Sequence, residues 1–247
     1  MPSPVKSADR TILILEAFAA ALAPLALSEL ARRVGIPVSA CHGLVRTLTA
    51  RGYLYETGPR RGYYPTLRWL DKARLVAAHD PVVERVAPVM DELARATGET
   101  VVFARRAGQA TVYLKVIESR HPVRYSAQAG DQRPLHASSI GKALLMQMSR
   151  AERDALFAGY RLARITSATL TTRERLEQDL ASGHKRGWTQ SRGENIPDVH
   201  AIAAPVQIAG EVYGLGVAGP VHRMAENLPR HAARLLKAAR AAAELAG

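Results

Sequence analysis

The hydrophobic period of the chain changes near Gly98, and this change limits the folds that the chain can adopt. Upstream of it, apolar residues recur every three or four positions, as they do on one face of a helix. From Thr100 onward, segments with a two-residue period appear, which is typical of strands. Strands, then helices, then strands again favour an antiparallel sheet with helices packed against it. The sequence therefore predicts a two-domain α+β chain.

Two short helical periods follow each other within residues 1–66. The first covers Leu27–Val34, with Ser28 as its predicted N-cap, and it ends at Gly35; the second buries Cys41, Leu44, Val45 and Leu48. Two short helices joined by a glycine-containing turn are typical of a helix-turn-helix. Two tyrosine-rich runs that flank a basic turn come next, and they predict a β-hairpin. We therefore predict a winged helix-turn-helix DNA-binding domain over residues 1–66.

The outward face of the second helix carries the side chains that would read DNA. Ser39, His42 and Arg46 share that face and would point into a major groove. Arg60 and Arg61, in the turn of the hairpin, would reach the sugar-phosphate backbone. With Ser28, these are the predicted DNA-binding residues. The alternative for each is an ordinary solvated surface residue.

The N-terminal segment resembles a signal peptide only superficially, because Asp9 and Glu16 interrupt its basic and apolar parts. Its spacing predicts instead an amphipathic helix with Ser7 as N-cap and a buried stripe of Ile12, Leu15, Ala19 and Leu22. No window is long and apolar enough to span a bilayer. One cysteine in 247 residues indicates a reducing compartment, so we expect a cytoplasmic protein. A net charge of +12 favours a polyanionic partner but does not locate its site.

The second domain is predicted over residues 81–247, after a linker helix over residues 67–80. Its expected strands are Thr100–Ala104, Thr111–Ile117, Pro122–Ala129, Ile202–Ile208 and Val212–Ala218. Its expected helices are Val82–Thr97, Ser139–Met148, Ala151–Ala158, Thr172–Arg186 and Ala225–Leu245; Ser149–Glu152 and Thr171–Glu174 are predicted capping boxes.

The segment from His136 to Ala143 holds the one candidate for chemistry in this domain. Gly141 and Lys142 resemble part of a phosphate-binding loop, but His136 occupies the position of its first glycine and Ala143 that of its hydroxyl. No catalytic or metal motif appears, so we predict no enzyme activity, no metal and no cofactor. The backbone N–H groups of Ser139, Ile140 and Gly141 could hold a carboxylate at a helix start. Plain capping and close helix–sheet packing are the alternative.

The whole chain resembles the IclR family of bacterial transcriptional regulators. The motifs that carry the resemblance are Ser7–Arg10, Leu27–Gly35, Arg51–Leu54, Gly98–Thr100, Pro134–Ala137, Gly141–Ala143, Ile202–Val206 and Gly219–Pro220. The resemblance implies a dimer or dimer of dimers that binds a palindromic operator, as repressor or activator. It also implies a GAF-like C-terminal domain whose pocket takes a small organic effector, often a carboxylate or an aromatic compound.

Departures from the family pattern bear on both sites. Val38 and Gly43 stand where the family often has Lys and Arg, so base reading would depend more on the three outward residues named above. In the pocket, family members that bind very small polar acids have a Gly-Ala pair before the Gly-Lys, an Asp, a Cys and two serines. The corresponding positions here are Ser139, Ile140, Ser191, Ala201, Gly216 and Ala218, so most of those polar contacts are missing.

We therefore predict a larger, more apolar effector, such as an aromatic acid. It would be held near Ser139 and Gly141, with Tyr125, Ile140 and Ala201 as walls. Arg124 and His200 are candidate charge partners, although each is equally expected to face solvent. A metabolite-binding module without a DNA-reading role, and a small-molecule hydrolase that uses His136 and Ser138, remain as alternative functions.

Overall fold

The computed structural model describes residues 5–58 and 62–245. The chain divides into two compact units, Met1–Ala78 and His79–Gly247, and the predicted linker over residues 67–80 spans this division. An N-terminal helical unit with a small hairpin precedes a unit built on one antiparallel sheet. The two-domain α+β prediction is confirmed.

The first unit is a helix-turn-helix followed by a hairpin. Its elements are α1 (Lys6–Ala21), α2 (Leu27–Val34), α3 (Val38–Ala50), β1 (Leu54–Glu56), β2 (Tyr63–Pro65) and α4 (Arg68–Ala78). Gly35 ends α2 in the left-handed region, with φ at 71°, which glycine adopts without steric cost. Buried side chains of α1, α2 and α3 form one core with Leu25 and Leu54. The predicted bounds of α2 are confirmed.

Three predictions for the first unit are wrong: the N-caps of α1 and α2 and the buried stripe of α1. The N-cap of α1 is Val5, so Ser7 lies within the helix, and the N-cap of α2 is Ala26, so Ser28 lies in its first turn. The buried side of α1 is centred on Ile14 and Phe18. The predicted stripe is not buried: Leu15 is only partly buried, and the other three residues, Ile12, Ala19 and Leu22, are exposed. An apolar run offers several stripes of the same period, and contact with α2 and α3 selects among them.

The second unit is a six-stranded antiparallel sheet in the order β5-β4-β3-β8-β7-β6, with helices on both faces. Its strands are β3 (Thr100–Ala107), β4 (Ala110–Ile117), β5 (Gln132–Pro134), β6 (Thr189–Arg192), β7 (Val199–Ile208) and β8 (Glu211–Pro220). Its helices are α5 (Pro81–Thr97), α6 (Ser139–Met146), α7 (Arg150–Leu156), α8 (Arg173–Arg186), α9 (Val221–Glu226) and α10 (Leu228–Glu244).

Alternation along the central strands separates two cores. Val101 and Phe103 of β3 face the core that α5 and α10 cover. Val102 and Ala104 face the opposite core, which includes α6. Helix α6 approaches β8 closely because β8 has glycines there: a Cβ at Gly214 would lie 2.5 Å from the Ile140 Cγ2 atom.

Several elements of the second unit differ from the predicted ones. Residues 122–129 form no strand; Ser126 and the backbone of Ala127 donate instead to the Glu118 carboxylate, and Thr100 donates to the Tyr125 carbonyl. Strands β5 and β6 were not predicted, since each is four residues or shorter. The N-cap of α8 is Thr172 rather than Thr171, and the last helix divides at Asn227. The Ser149–Glu152 capping box is confirmed.

Within the described ranges, no helix is both long and apolar enough to cross a membrane, and no cluster of three or more metal-ligating side chains is found.

Candidate functional site

One exposed face of helix α3 carries all three side chains that the sequence places toward DNA. Ser39, His42 and Arg46 are exposed, and they lie three or four positions apart, so they share one face. The other face is buried in the core of the unit through Cys41 and Val45. A buried face holds the helix in place while the exposed one remains accessible to a partner.

The N-termini of α2 and α3 lack side-chain caps. Ala26 and Pro37 precede the two helices, and neither supplies a side-chain acceptor. The first N–H groups of a helix have no intrahelical acceptor and favour anions such as phosphate. Ser28, exposed in the first turn of α2, adds a hydroxyl beside these donors. Arg60 and Arg61 lie outside the described residues.

A cavity lies between the sheet of the second unit and the start of α6. Val102, Gly216 and Ala218 of the two central strands contribute to its floor, and the segment after β6 supplies Asn195 and Ile196. The predicted effector residues that line this one cavity are Tyr125, Ser139, Ile140, Ser191, Ala201, Gly216 and Ala218. The strand residues among them face it because β6, β7 and β8 present alternate side chains to the α6 side.

The helix start at this cavity has one unpartnered hydroxyl. Ser138 caps α6 by accepting from the Gly141 N–H at 3.1 Å, and it donates to the Pro134 carbonyl. Ser191 donates to the Ala137 carbonyl at 2.7 Å. Ser139 is 4% exposed, and its hydroxyl has no hydrogen bond to any described residue. This corner therefore has an unused polar group beside the positive end of a helix.

Two tyrosine hydroxyls form another polar corner of the cavity. Tyr113 of β4 and Tyr125 lie with their hydroxyl oxygens 3.1 Å apart, and both rings are buried. The Arg133 guanidinium lies over the Tyr113 ring, 5.4 Å from its centroid, and pairs with Asp131 at 3.0 Å. Burial, the Tyr125 charge and the Tyr125 hydrogen bond raise the pKa of Tyr113 well above its ordinary value. The Tyr113 phenol is therefore neutral at physiological pH.

Lys142 forms a buried ion pair that supports one wall of the cavity. Its side chain is 0% exposed, and Nζ donates to the two Glu194 oxygens at 2.8 and 3.0 Å. Asp179 Oδ2 lies 2.8 Å from the same nitrogen, without the alignment of a hydrogen bond. Burial raises the pKa of Glu194, and the Lys142 charge opposes that rise. Lys142 is thus occupied inside the fold rather than presented to a phosphate.

Thr166 and Thr169 also hold the backbone of this segment. Thr166 Oγ1 donates to the Gly193 carbonyl at 2.7 Å, and Thr169 Oγ1 donates to the Glu194 carbonyl at 2.7 Å. The Lys142 ion pair and these two bonds converge on the backbone directly before Asn195. The chain is therefore anchored at Gly193 and Glu194, directly before the lining residues Asn195 and Ile196.

Three residues considered for the effector lie away from the cavity lining. Gly141 is pressed against the Leu135 backbone, where a Cβ would lie 2.3 Å from the carbonyl oxygen. His200 faces the other side of the sheet from its neighbour Ala201, and its Nε2 contacts Gln190 at 3.2 Å. Burial and the Arg192 and Lys142 charges lower the pKa of His200 to about 4. Arg124 pairs with Glu118 at 3.0 Å.

The hydrolase alternative required His136 to activate Ser138. His136 instead contacts the Tyr160 hydroxyl at 3.3 Å and the Ala163 carbonyl at 3.0 Å. Ser138 uses its hydroxyl hydrogen to donate to the Pro134 carbonyl. No hydrogen bond joins the two side chains among the described residues, so the nucleophile–base geometry is missing.

Sequence reasoning missed Tyr113 and the 193–196 wall. Tyr113 has the same strand parity as Thr111, which is buried, so the alternation of β4 could have indicated it. Asn195 and Ile196 lie in an irregular segment, and no period marks such residues. The Lys142–Glu194 pair joins positions 52 residues apart, which no local pattern reveals.

Comparison with known proteins gives matches over both units. The model of the IclR helix-turn-helix domain matches residues 7–58, and that of the "Bacterial transcriptional regulator IclR C-terminal" domain matches residues 75–244. The HTH-type transcriptional regulator BhcR of Paracoccus denitrificans is 31% identical over 90% of this chain and 80% of its own. The HTH-type transcriptional regulator XynR of Escherichia coli is 29% identical over 82% of this chain and 80% of its own.

Among solved structures, an IclR homologue from Microbacterium hydrocarbonoxydans complexed with 4-hydroxybenzoate superposes with a TM-score of 0.77. It is 22% identical, over 97% of this chain and 98% of that one.

An exposed helix-turn-helix face, joined in one chain to a sheet with a cavity, defines a DNA-binding transcriptional regulator with a small-molecule domain. Because both family models match, the chain belongs to the IclR family. The members of this family that it resembles are transcriptional regulators, not enzymes.

Proposed function

We propose that the chain controls transcription by reading operator DNA with the outward face of α3 and by binding an aromatic carboxylic acid in the sheet cavity. The DNA-reading residues in this proposal are Ser28, Ser39, His42, Arg46, Arg60 and Arg61. The observation that supports the reading role is the uncovered face of α3 opposite a buried one. The proposed assembly is a dimer or dimer of dimers on a palindromic site, in the cytoplasm where the DNA lies.

The acid is proposed because of the corner at the start of α6. The unpaired N–H groups of Ser139 and Ile140 and the free Ser139 hydroxyl would hold a carboxylate, since a helix N-terminus favours negative charge. Gly141 is not part of this grip, because its N–H already donates to Ser138. The apolar floor suits a ring, and a distant structural relative was solved with 4-hydroxybenzoate.

Binding of a ring requires the cavity to widen. The space open to the centre of a water-sized sphere is about 30 Å³, which holds roughly two water molecules at about 10–15 Å³ each. Entry of an aromatic acid must therefore separate the walls. Asn195 and Ile196 lie in an irregular segment after the anchored Gly193 and Glu194, and this wall is the one that we expect to move.

Calorimetry on the full chain tests the effector class. A panel of benzoate, 4-hydroxybenzoate, pyruvate and glyoxylate is titrated into the wild type, Ser139→Ala and the exposed control Ser182→Ala. We expect aromatic acids to bind, and Ser139→Ala to weaken them about tenfold, the loss of one charged hydrogen bond. Tight binding of only pyruvate or glyoxylate would contradict the aromatic class.

A further inference from the structure

The tyrosine pair of the cavity has a hydrogen-bond donor left over. Tyr113 and Tyr125 are each 6% exposed, and one hydrogen bond joins their hydroxyls. Each phenol carries one hydrogen, so a pair joined by one bond has one O–H hydrogen to spare. In the described part of the chain, no other acceptor contacts either hydroxyl. A buried donor without an acceptor is unfavourable, so this corner favours a ligand with an oxygen.

The structure holds this pair in position from two directions. Thr100 Oγ1 donates to the Tyr125 carbonyl at 2.6 Å, which fixes the segment after β4 to the start of β3. Arg133 covers the Tyr113 ring and is itself held by Asp131. Burial and the Tyr125 hydroxyl outweigh the opposing Arg133 charge and raise the pKa of Tyr113, so the phenol keeps its hydrogen and can donate it. The donor is thus oriented before any ligand arrives.

Sheet order puts the tyrosine pair and the start of α6 on opposite sides of the cavity. Tyr113 lies on β4, whereas Ser191 and Thr189 of β6 donate to the backbone at the start of α6. Strands β3, β8 and β7 lie between β4 and β6, and their contributions to the floor are apolar. The cavity therefore has two polar ends and an apolar middle.

We propose that the Tyr113–Tyr125 pair is the second recognition point of the cavity and binds a hydroxyl oxygen at the end of the effector remote from its carboxylate. This inference rests on the proposed function. The effector class it defines is an aromatic acid with a hydroxyl group para to the carboxylate. The carboxylate lies at the start of α6, and the ring lies over Val102, Gly216 and Ala218.

Three isosteric or near-isosteric acids test the proposal without any variant. The full chain is titrated with 4-hydroxybenzoate, 2-hydroxybenzoate and benzoate. We expect 4-hydroxybenzoate to bind about tenfold more tightly than benzoate, as one added hydrogen bond gives. The hydroxyl of 2-hydroxybenzoate lies next to its carboxylate and cannot reach the pair, so its affinity should match that of benzoate.

Two variants then connect this preference to the tyrosines. Tyr113→Phe and Tyr125→Phe remove one hydroxyl each and keep the ring. The variant that removes the spare hydrogen should reduce the preference for 4-hydroxybenzoate over benzoate to about twofold or less. Tyr213→Phe is the matched control, because its ring stacks on Phe103 in the other core. An unchanged preference in both variants overturns the proposal.

The outcomes also distinguish a failure of this proposal from a failure of the proposed function on which it rests. If all three acids bind equally to the wild type, the tyrosine recognition is wrong and the aromatic-acid effector stands. If none of the three binds while pyruvate or glyoxylate does, the aromatic effector class is wrong, and the tyrosine proposal is overturned with it.

Discussion

Replacing Lys142 with methionine isolates the charge of the buried ion pair. Methionine keeps an unbranched chain of similar length, so the loss is mainly the ammonium group. Glu194, 2.8 Å from that nitrogen, and Asp179, also 2.8 Å from it, would then face each other without a cation. The side chain of Lys142 is fully buried, so solvent does not replace its charge.

Lys142→Met is expected to lower the free energy of unfolding strongly at alkaline pH and less at acidic pH. Removing one partner of a buried ion pair costs about 3–5 kcal/mol, because the other charge stays buried. Burial already raises the pKa of Glu194 and only Lys142 and lesser interactions oppose it, so the variant raises that pKa further. Below the raised pKa the carboxyl is neutral and the penalty falls. We expect the destabilisation at pH 5.5 to be at most about half of that at pH 8.

Fluorescence reports this unit separately. The chain has two tryptophans, and Trp69→Phe leaves Trp188 of the second unit as the only one. Urea unfolding at pH 8 and pH 5.5 compares Lys142→Met with Lys185→Met, an exposed lysine of α8. A destabilisation below about 1 kcal/mol at pH 8, or one that is equal at both pH values, would show that the Lys142 charge does not stabilise the buried carboxylates.

Two further predictions concern the stability of the units. His200 is buried with its pKa lowered to about 4, whereas a histidine of the unfolded chain has a pKa of about 6.5. As the pH falls through this range, the unfolded chain binds the proton first, and the free energy of unfolding decreases by up to about 3 kcal/mol. In urea unfolding from pH 7.5 to 4.5, His200→Asn should remove that part of the slope, and identical slopes would contradict it. Gly141→Ala should destabilise by about 1–3 kcal/mol, because the Leu135 backbone blocks a Cβ. Gly43→Ala, in open space on α3, should stabilise by about 1 kcal/mol, and the same sign for both would refute this account.

The sequence predicts the elements whose own residues determine them. Leu30, Ala31 and Val34 repeat with the period of a helix that ends at Gly35, so the bounds of α2 follow from local pattern alone. The cavity is predicted in part for a similar reason. Ala201, Gly216 and Ala218 fall on one side of their strands by alternation.

Other parts depend on contacts that the local pattern does not contain. The sequence pattern predicts a strand over residues 122–129, but the Ser126 hydroxyl and the Ala127 N–H donate to the Glu118 carboxylate instead. The sequence indicates His200 as a candidate charge partner of the effector. In the structure, the alternation of side chains along β7 places it on the other face of the sheet, in contact with Gln190. The Tyr113–Tyr125 contact arises only when β4 and the following segment fold together.

Arg46→Ala tests whether the outward face of α3 reads duplex bases, when its binding is measured on a duplex that the wild-type chain has selected from random sequence. Fluorescence anisotropy compares it with Arg175→Ala, which removes the same charge from an exposed position of α8. We predict that Arg46→Ala weakens binding by about tenfold or more and that the control binds like the wild type. Equal affinities of the two variants for the selected duplex would show that this face does not read the bases.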